Sequence, residues 1–104
     1  MRKLIILTAT AMFAATGASA APVGLGLKGA SLASMAKVTL AKARTTALTA
    51  RPGVITDQEL EKEKGGTGLR YSFDIKSNGK TFEVGVDART GKLLENAAEG
   101  PNPD

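Results

Sequence analysis

Between Leu69 and Val86 the chain alternates. Leu69, Tyr71, Phe73 and Ile75 are apolar at every second position, and so are Phe82, Val84 and Val86. Period two over this length marks strands that bury one face. Asn78-Gly79 separates the two runs and is the dipeptide suited to a two-residue hairpin turn. The pattern predicts strands over residues 69–76 and 80–87. A second turn comes at Ala88-Arg89-Thr90-Gly91, and residues 92–95 read as a short last strand or extended exit.

Upstream the period changes. Ser31 to Ala50 holds no Gly or Pro, and its apolar positions recur at helical spacing. Val38-Thr39 places two β-branched residues together, and Thr39 is a good N-cap. This predicts a short helical turn near residues 31–36 and a main helix over residues 40–50. The buried stripe is Leu40, Ala43, Ala47 and Ala50, small enough to sit close to a sheet. Arg51-Pro52-Gly53 ends the helix, because proline disfavours helix at the residue before it and glycine permits a reversal.

Residues 54–64 give a weaker strand pattern. Strict alternation puts Val54, Thr56, Gln58, Leu60 and Lys62 on one face and Ile55, Asp57, Glu59, Glu61 and Glu63 on the other. The acidic side suits an exposed edge strand, where charge deters pairing with another chain. Gly65-Gly66-Thr67-Gly68 is a turn; it lacks the Lys-Ser/Thr and the spacing of a phosphate-binding loop. The expected fold class is α+β, one main helix on a small three- to four-stranded antiparallel sheet. Its expected core is Leu40, Ala43, Ala47, Val54, Leu60, Leu69, Tyr71, Phe73, Ile75, Phe82, Val84 and Val86.

The first twenty residues stand apart from that fold. Arg2-Lys3 is basic, Leu4 to Ala15 is mostly apolar, and Ala18-Ser19-Ala20 is a small-x-small cleavage site. This is the pattern of a secretory signal peptide, and its apolar run is shorter than the ~20 residues a membrane span needs. Residues 21–37 read as a partly helical extension, 38–95 as the domain and 96–104, with Pro101 and Pro103, as a disordered tail.

Cleavage after Ala20 changes the charge. Lys plus Arg falls from 14 to 12 while Asp plus Glu stays at 10, so the mature chain carries +2. Residues 21–53 hold five bases (Lys28, Lys37, Lys42, Arg44 and Arg51) and no acid. Residues 54–104 hold seven bases and ten acids. The expectation is a basic helical layer that complements an acidic sheet within the molecule.

Candidate chemistry is sparse. The chain has no His, Cys or Trp. A Ser/His/Asp arrangement, a thiol nucleophile and His- or Cys-built metal sites are therefore excluded. The acidic strand lacks the glycine and later glutamate of a calcium loop. Tyr71, Phe73 and Phe82 are assigned to the core, which leaves no stacking platform for nucleic acid. No catalytic, cofactor-binding or metal-ligating residue is assigned. Pro52, Gly53, Asn78, Gly79, Asp87, Thr90 and Gly91 are assigned to turns. The Asp87 side chain can accept from nearby backbone amides, and a ligand site on Asp87, Arg89 and Lys92 is the alternative.

These residues together resemble the PepSY family. The resemblance is carried by the helix with Ala43 and Ala47 running into Pro52-Gly53, by Glu59-Leu60-Glu61, by Tyr71-Ser72-Phe73-Asp74-Ile75, and above all by Val84-Gly85-Val86-Asp87-Ala88-Arg89-Thr90-Gly91-Lys92-Leu93. It spans residues 38–95. Leu40-Ala41-Lys42 departs from it in lacking an early acidic residue. The resemblance implies a helix on an antiparallel sheet and a non-catalytic module of the kind found in metalloprotease propeptides. The expected role is that of an exported, periplasmic or secreted protein-interaction domain. Its partner would be a protein such as an envelope or extracellular peptidase, which it would regulate or inhibit, bound at an edge bearing Glu59, Glu61 and Glu63. A small-ligand or cation-binding module is the alternative. No cofactor, nucleic acid or membrane span of the mature form is expected.

Overall fold

The computed structural model describes residues 25–100. The predicted leader over residues 1–20 and the last residues of the predicted tail lie outside them. A 3-10 helix over Ala30–Met35 leads into the helix α1, Leu40–Ala50. Four strands come after it: β1 (Val54–Lys62), β2 (Leu69–Ser77), β3 (Lys80–Asp87) and β4 (Leu93–Ala98). They form one antiparallel sheet in the order β1-β2-β3-β4. Each strand pairs with its sequence neighbour, so the expected α+β arrangement is the one observed.

The helix begins where its cap dictates. Thr39 is extended, and its hydroxyl accepts the Lys42 N–H at 3.1 Å. The helix ends at Arg51, whose N–H reaches the Ala47 carbonyl at 2.8 Å before Pro52. Ala43 and Ala47 are fully buried, and α1 packs on the two central strands and β4. Leu40 and Phe82 are only partly buried against the core. Arg44, which the stripe did not include, is buried beside Ala43, and its Nη1 donates to Gln58 Oε1 at 2.9 Å.

The β2–β3 hairpin has the predicted two-residue turn. Ser77 pairs with Lys80, and Asn78 and Gly79 take φ of 53° and 77°. Both values lie in the left-handed region that this turn requires. The odd positions of β2 and the even positions of β3 face α1, with Phe73, Ile75, Val84 and Val86 fully buried.

Strict alternation fails in β1. Ile55 pairs with Ile75 but Asp57 pairs with Asp74, so one extra residue bulges between them. The bulge changes which parity faces the helix. Ile55 is buried and Val54 is 59% exposed, so Val54 leaves the expected core and Ile55 replaces it. Beyond the bulge, Gln58 and Leu60 point inward as expected.

Two further expectations change. The outer edge of β1 is covered along its middle. Lys28 bridges to Glu59 in parallel, its N–H donating to the Gln58 carbonyl and its carbonyl accepting from Leu60 N–H at 2.8 Å. Gly29 is next, with φ 80°, and a Cβ there would collide with the Leu60 carbonyl. The last strand also runs past residue 95. Ala97 and Ala98 pair with Glu83 and Phe82, so the tail predicted from Asn96 is strand through Ala98. A ladder uses backbone groups, and β3 offers a free edge whatever the side chains of its partner. Arg51 adds to this attachment by lying over the Phe82 ring at 3.8 Å and donating to Asn96 Oδ1.

Candidate functional site

The register that sends apolar side chains toward α1 sends acidic ones to the opposite face. After the bulge, Asp57, Glu59 and Glu61 of β1 lie opposite Asp74, Ser72 and Arg70 of β2. Asp74 in turn faces Glu83 of β3, and Gly85 faces Glu95 of β4. This face, which no other element among the described residues covers, forms a trough of about 580 Å³ lined by eight carboxylates: Asp57, Glu59, Glu61, Glu63, Asp74, Glu83, Glu95 and Glu99. The chain has ten acidic residues, so one face collects most of its negative charge.

Glu59, Glu61 and Glu63, expected along an edge, thus share a broad surface with five other carboxylates. Neither the bulge that aligns them nor the extension of the last strand past residue 95, which brings Glu99 to this face, is visible as a motif. Asp74 alternates with the apolar positions of β2, and Glu83 with those of β3, so both lie on the polar side of the hairpin.

The bases of the helical layer do not neutralise this face, because the sheet stands between them. Among the described residues, Lys28 alone of those five forms an ion pair, with Asp57 at 3.1 Å. The expected complementarity between helical layer and sheet is therefore confined to the rim. The other ion pairs come from Arg70 on the face itself. Its guanidinium lies 3.2 Å from Glu95 and 3.9 Å from Glu63, and its Nη2 donates to the Lys64 carbonyl. Gly85 leaves room for it, since a Cβ there would stand 3.1 Å from Nη1.

Burial, and after it the charge of neighbouring carboxylates, raises the proton affinity of Asp74, Glu83 and Glu59. Asp74 is pushed up to about 6 by burial, by a hydrogen bond with Glu99 and by the charges of Glu99 and Asp57, against a smaller opposing pull from Lys28. Glu83 is pushed up to about 6 by burial and by Glu95, Asp74, Glu99 and Glu61. Glu59 is raised by burial and by Glu61. Ser72 donates its hydroxyl to Glu61 Oε2 at 2.6 Å.

Asp74, Glu83 and Glu99 each bring a carboxylate oxygen within 4.8 Å of the others. Acidic groups commonly cluster in this way without an ion, so no metal is assigned to them.

The turn residues occupy a different corner. Asp87 is buried at the end of β3, where it accepts from the N–H groups of Thr67, Arg89 and Thr90. Gly91, at φ 81°, donates its N–H to the Asp87 carbonyl at 2.9 Å. Arg89 reaches the Thr67 carbonyl at 3.0 Å, whereas Lys92 is exposed. Pro52 and Gly53 join α1 to β1, away from the acidic face. A Cβ on Gly53 would collide with the Lys76 carbonyl.

A family model described as "Peptidase propeptide and YPEB domain" matches residues 37–96. The chain belongs to the PepSY family. The match takes in α1, the first three strands and β4 as far as Asn96, so the sequence resemblance and the observed fold agree. No curated protein and no solved structure matches this PepSY chain. Among its described residues no helix is long and apolar enough to cross a membrane.

Proposed function

We propose that this chain is an exported, non-catalytic PepSY domain that binds a peptidase of the envelope or extracellular space and restrains it. The observation that carries the reading is the acidic trough on the uncovered sheet face, in a chain whose family description names peptidase propeptides. A surface of this charge favours a basic partner surface and acts chiefly on association rate and partner choice. Export rests on the leader pattern of residues 1–20 and predicts a mature protein that starts at Ala21, periplasmic or secreted.

Glu59, Glu61 and Glu63 form one wall of the trough. Docking on this face replaces strand addition at the β1 edge as the preferred mode, because Lys28 occupies the middle of that edge. The test is a peptidase assay on envelope extract from the source cell with purified protein added. The expected result is inhibition at micromolar concentration that weakens in Glu59→Lys/Glu61→Lys, while the melting curve shows the variant still folded. No inhibition, with saturable binding of a small ligand or cation instead, would overturn the reading in favour of a ligand-binding module.

A further inference from the structure

We infer that Asp74, Glu83 and Glu99 form a proton-operated clasp that fastens the end of β4 to the sheet and slackens when Asp74 and Glu83 lose their protons. The inference does not depend on the partner proposed above.

The three groups come from different strands. Asp74 sits in β2 and Glu83 in β3, paired directly across the ladder. Glu99 is the first residue after β4. One oxygen from each lies within 4.8 Å of the other two. Carboxyl groups this close do not all ionise without strong repulsion, and a proton held between two of them turns repulsion into a hydrogen bond.

The surrounding charges do not relieve the cluster. Across the trough β1 contributes Asp57, Glu59 and Glu61, and β4 contributes Glu95. Among the described residues the bases on this side are Lys28, Arg70 and Lys76. Lys28 is paired with Asp57, Arg70 is engaged by Glu95 and Glu63, and Lys76 is exposed farther along β2. Arg44 and Arg51 lie on the helix side of the sheet, where they bond Gln58 and Asn96.

Of the three members, Glu99 has the weakest hold. Asp74 and Glu83 are fixed by ladders on both sides. Glu99 comes after the exposed Ala97 and Ala98, and its backbone N–H donates to the Thr81 carbonyl at 2.9 Å. Repulsion is therefore relieved with least disruption by moving Glu99, which breaks that bond and frees the end of β4 from β3. Asp74 and Glu83, each at about 6, put the change in the mildly acidic range. Both are raised above their ordinary values, so the protonated, closed form prevails below that range and is lost as pH rises through it.

Carboxyl and amide NMR of the purified protein in chelator, from about pH 4 to about pH 8, tests this. Asp74 and Glu83 are expected to titrate near 6. The Glu99 amide is expected to lose protection over the same interval after correction for intrinsic exchange. In Glu99→Gln the Asp74 midpoint should fall by roughly one unit, as removal of a close like charge requires. The protection of that amide should then become independent of pH. Glu63→Gln, on the same face but outside the cluster, should leave both readouts as in the wild type. Asp74 and Glu83 midpoints both below about 5, an Asp74 midpoint unmoved by Glu99→Gln, or flat protection of the Glu99 amide in the wild type would each overturn the clasp.

Discussion

Asp87 accepts from Thr67 twice: the Thr67 N–H reaches Oδ2 at 2.6 Å and its hydroxyl reaches Oδ1 at 2.9 Å. Twenty residues of sequence separate the two. One buried carboxylate thereby ties the loop between β1 and β2 to the turn between β3 and β4, where Arg89 and Thr90 donate their amides to the same group.

That arrangement sets a pH dependence. Burial pushes the Asp87 carboxyl up, but the hydrogen bonds from Thr67, Arg89 and Thr90 outweigh it and hold the group at about 2. A depressed carboxyl stabilises the fold above its unfolded value near 4, and the contribution is lost as pH falls through about 2. Asp87→Ala is expected to cost about 2–4 kcal/mol at neutral pH, the scale for losing several hydrogen bonds to a buried charge. Its denaturant midpoint should also change less than that of the wild type between about pH 4 and about pH 2. Chemical denaturation at several pH values checks both.

The bulge in β1 makes a second prediction. Ile55→Ala should destabilise by about 2–4 kcal/mol because it opens a cavity in the core. Val54→Ala, one residue earlier and exposed, should change stability by no more than about 0.5 kcal/mol. Denaturant melts of the two variants compare the neighbouring positions directly. Equal costs, or the reverse order, would mean the strand has no bulge between Ile55 and Asp57.

Tyr71 supplies a third. Its hydroxyl donates to the Val38 carbonyl at 2.7 Å, which fixes the entry to α1 over the sheet. Burial of the phenol raises its proton affinity, so it remains a donor throughout the neutral range. Tyr71→Phe keeps the ring and removes the bond, at an expected cost of about 1–2 kcal/mol in thermal or denaturant melts. Amide exchange near Thr39 should quicken in the variant, because the N-cap of α1 loses its anchor.

Much of this architecture was legible because local chemistry and tertiary packing agree there. Thr39 can cap only a helix that starts after it, Arg51-Pro52 cannot extend a helix, and Asn78-Gly79 accepts the φ values the hairpin needs. Apolar residues at every second position on both sides of that turn leave one register that buries them together.

The departures arise where backbone pairing overrides side-chain pattern. Thr56 gives no sign that it will bulge, yet the bulge decides that Ile55 is buried and Val54 is not. Lys28 and Ala97 gain their places through N–H and C=O groups, which every sequence supplies, so neither the covered edge of β1 nor the length of β4 is written in residue type. Arg44 appears as one base among several, and its burial beside Gln58 exists only once α1 lies on the sheet.

The acidic trough divides the same way. The sequence by itself determined the helix and its caps, the central hairpin, the lack of a His- or Cys-based chemistry and the alternation that keeps acids off the apolar face. Only the tertiary structure decided that carboxylates from four strands would meet on one side, with the sheet itself screening them from the helical bases. The reason is physical: alternation fixes which side of its own strand a residue occupies, whereas the distance between two charges on different strands depends on register, twist and bulges that close only when the whole sheet forms.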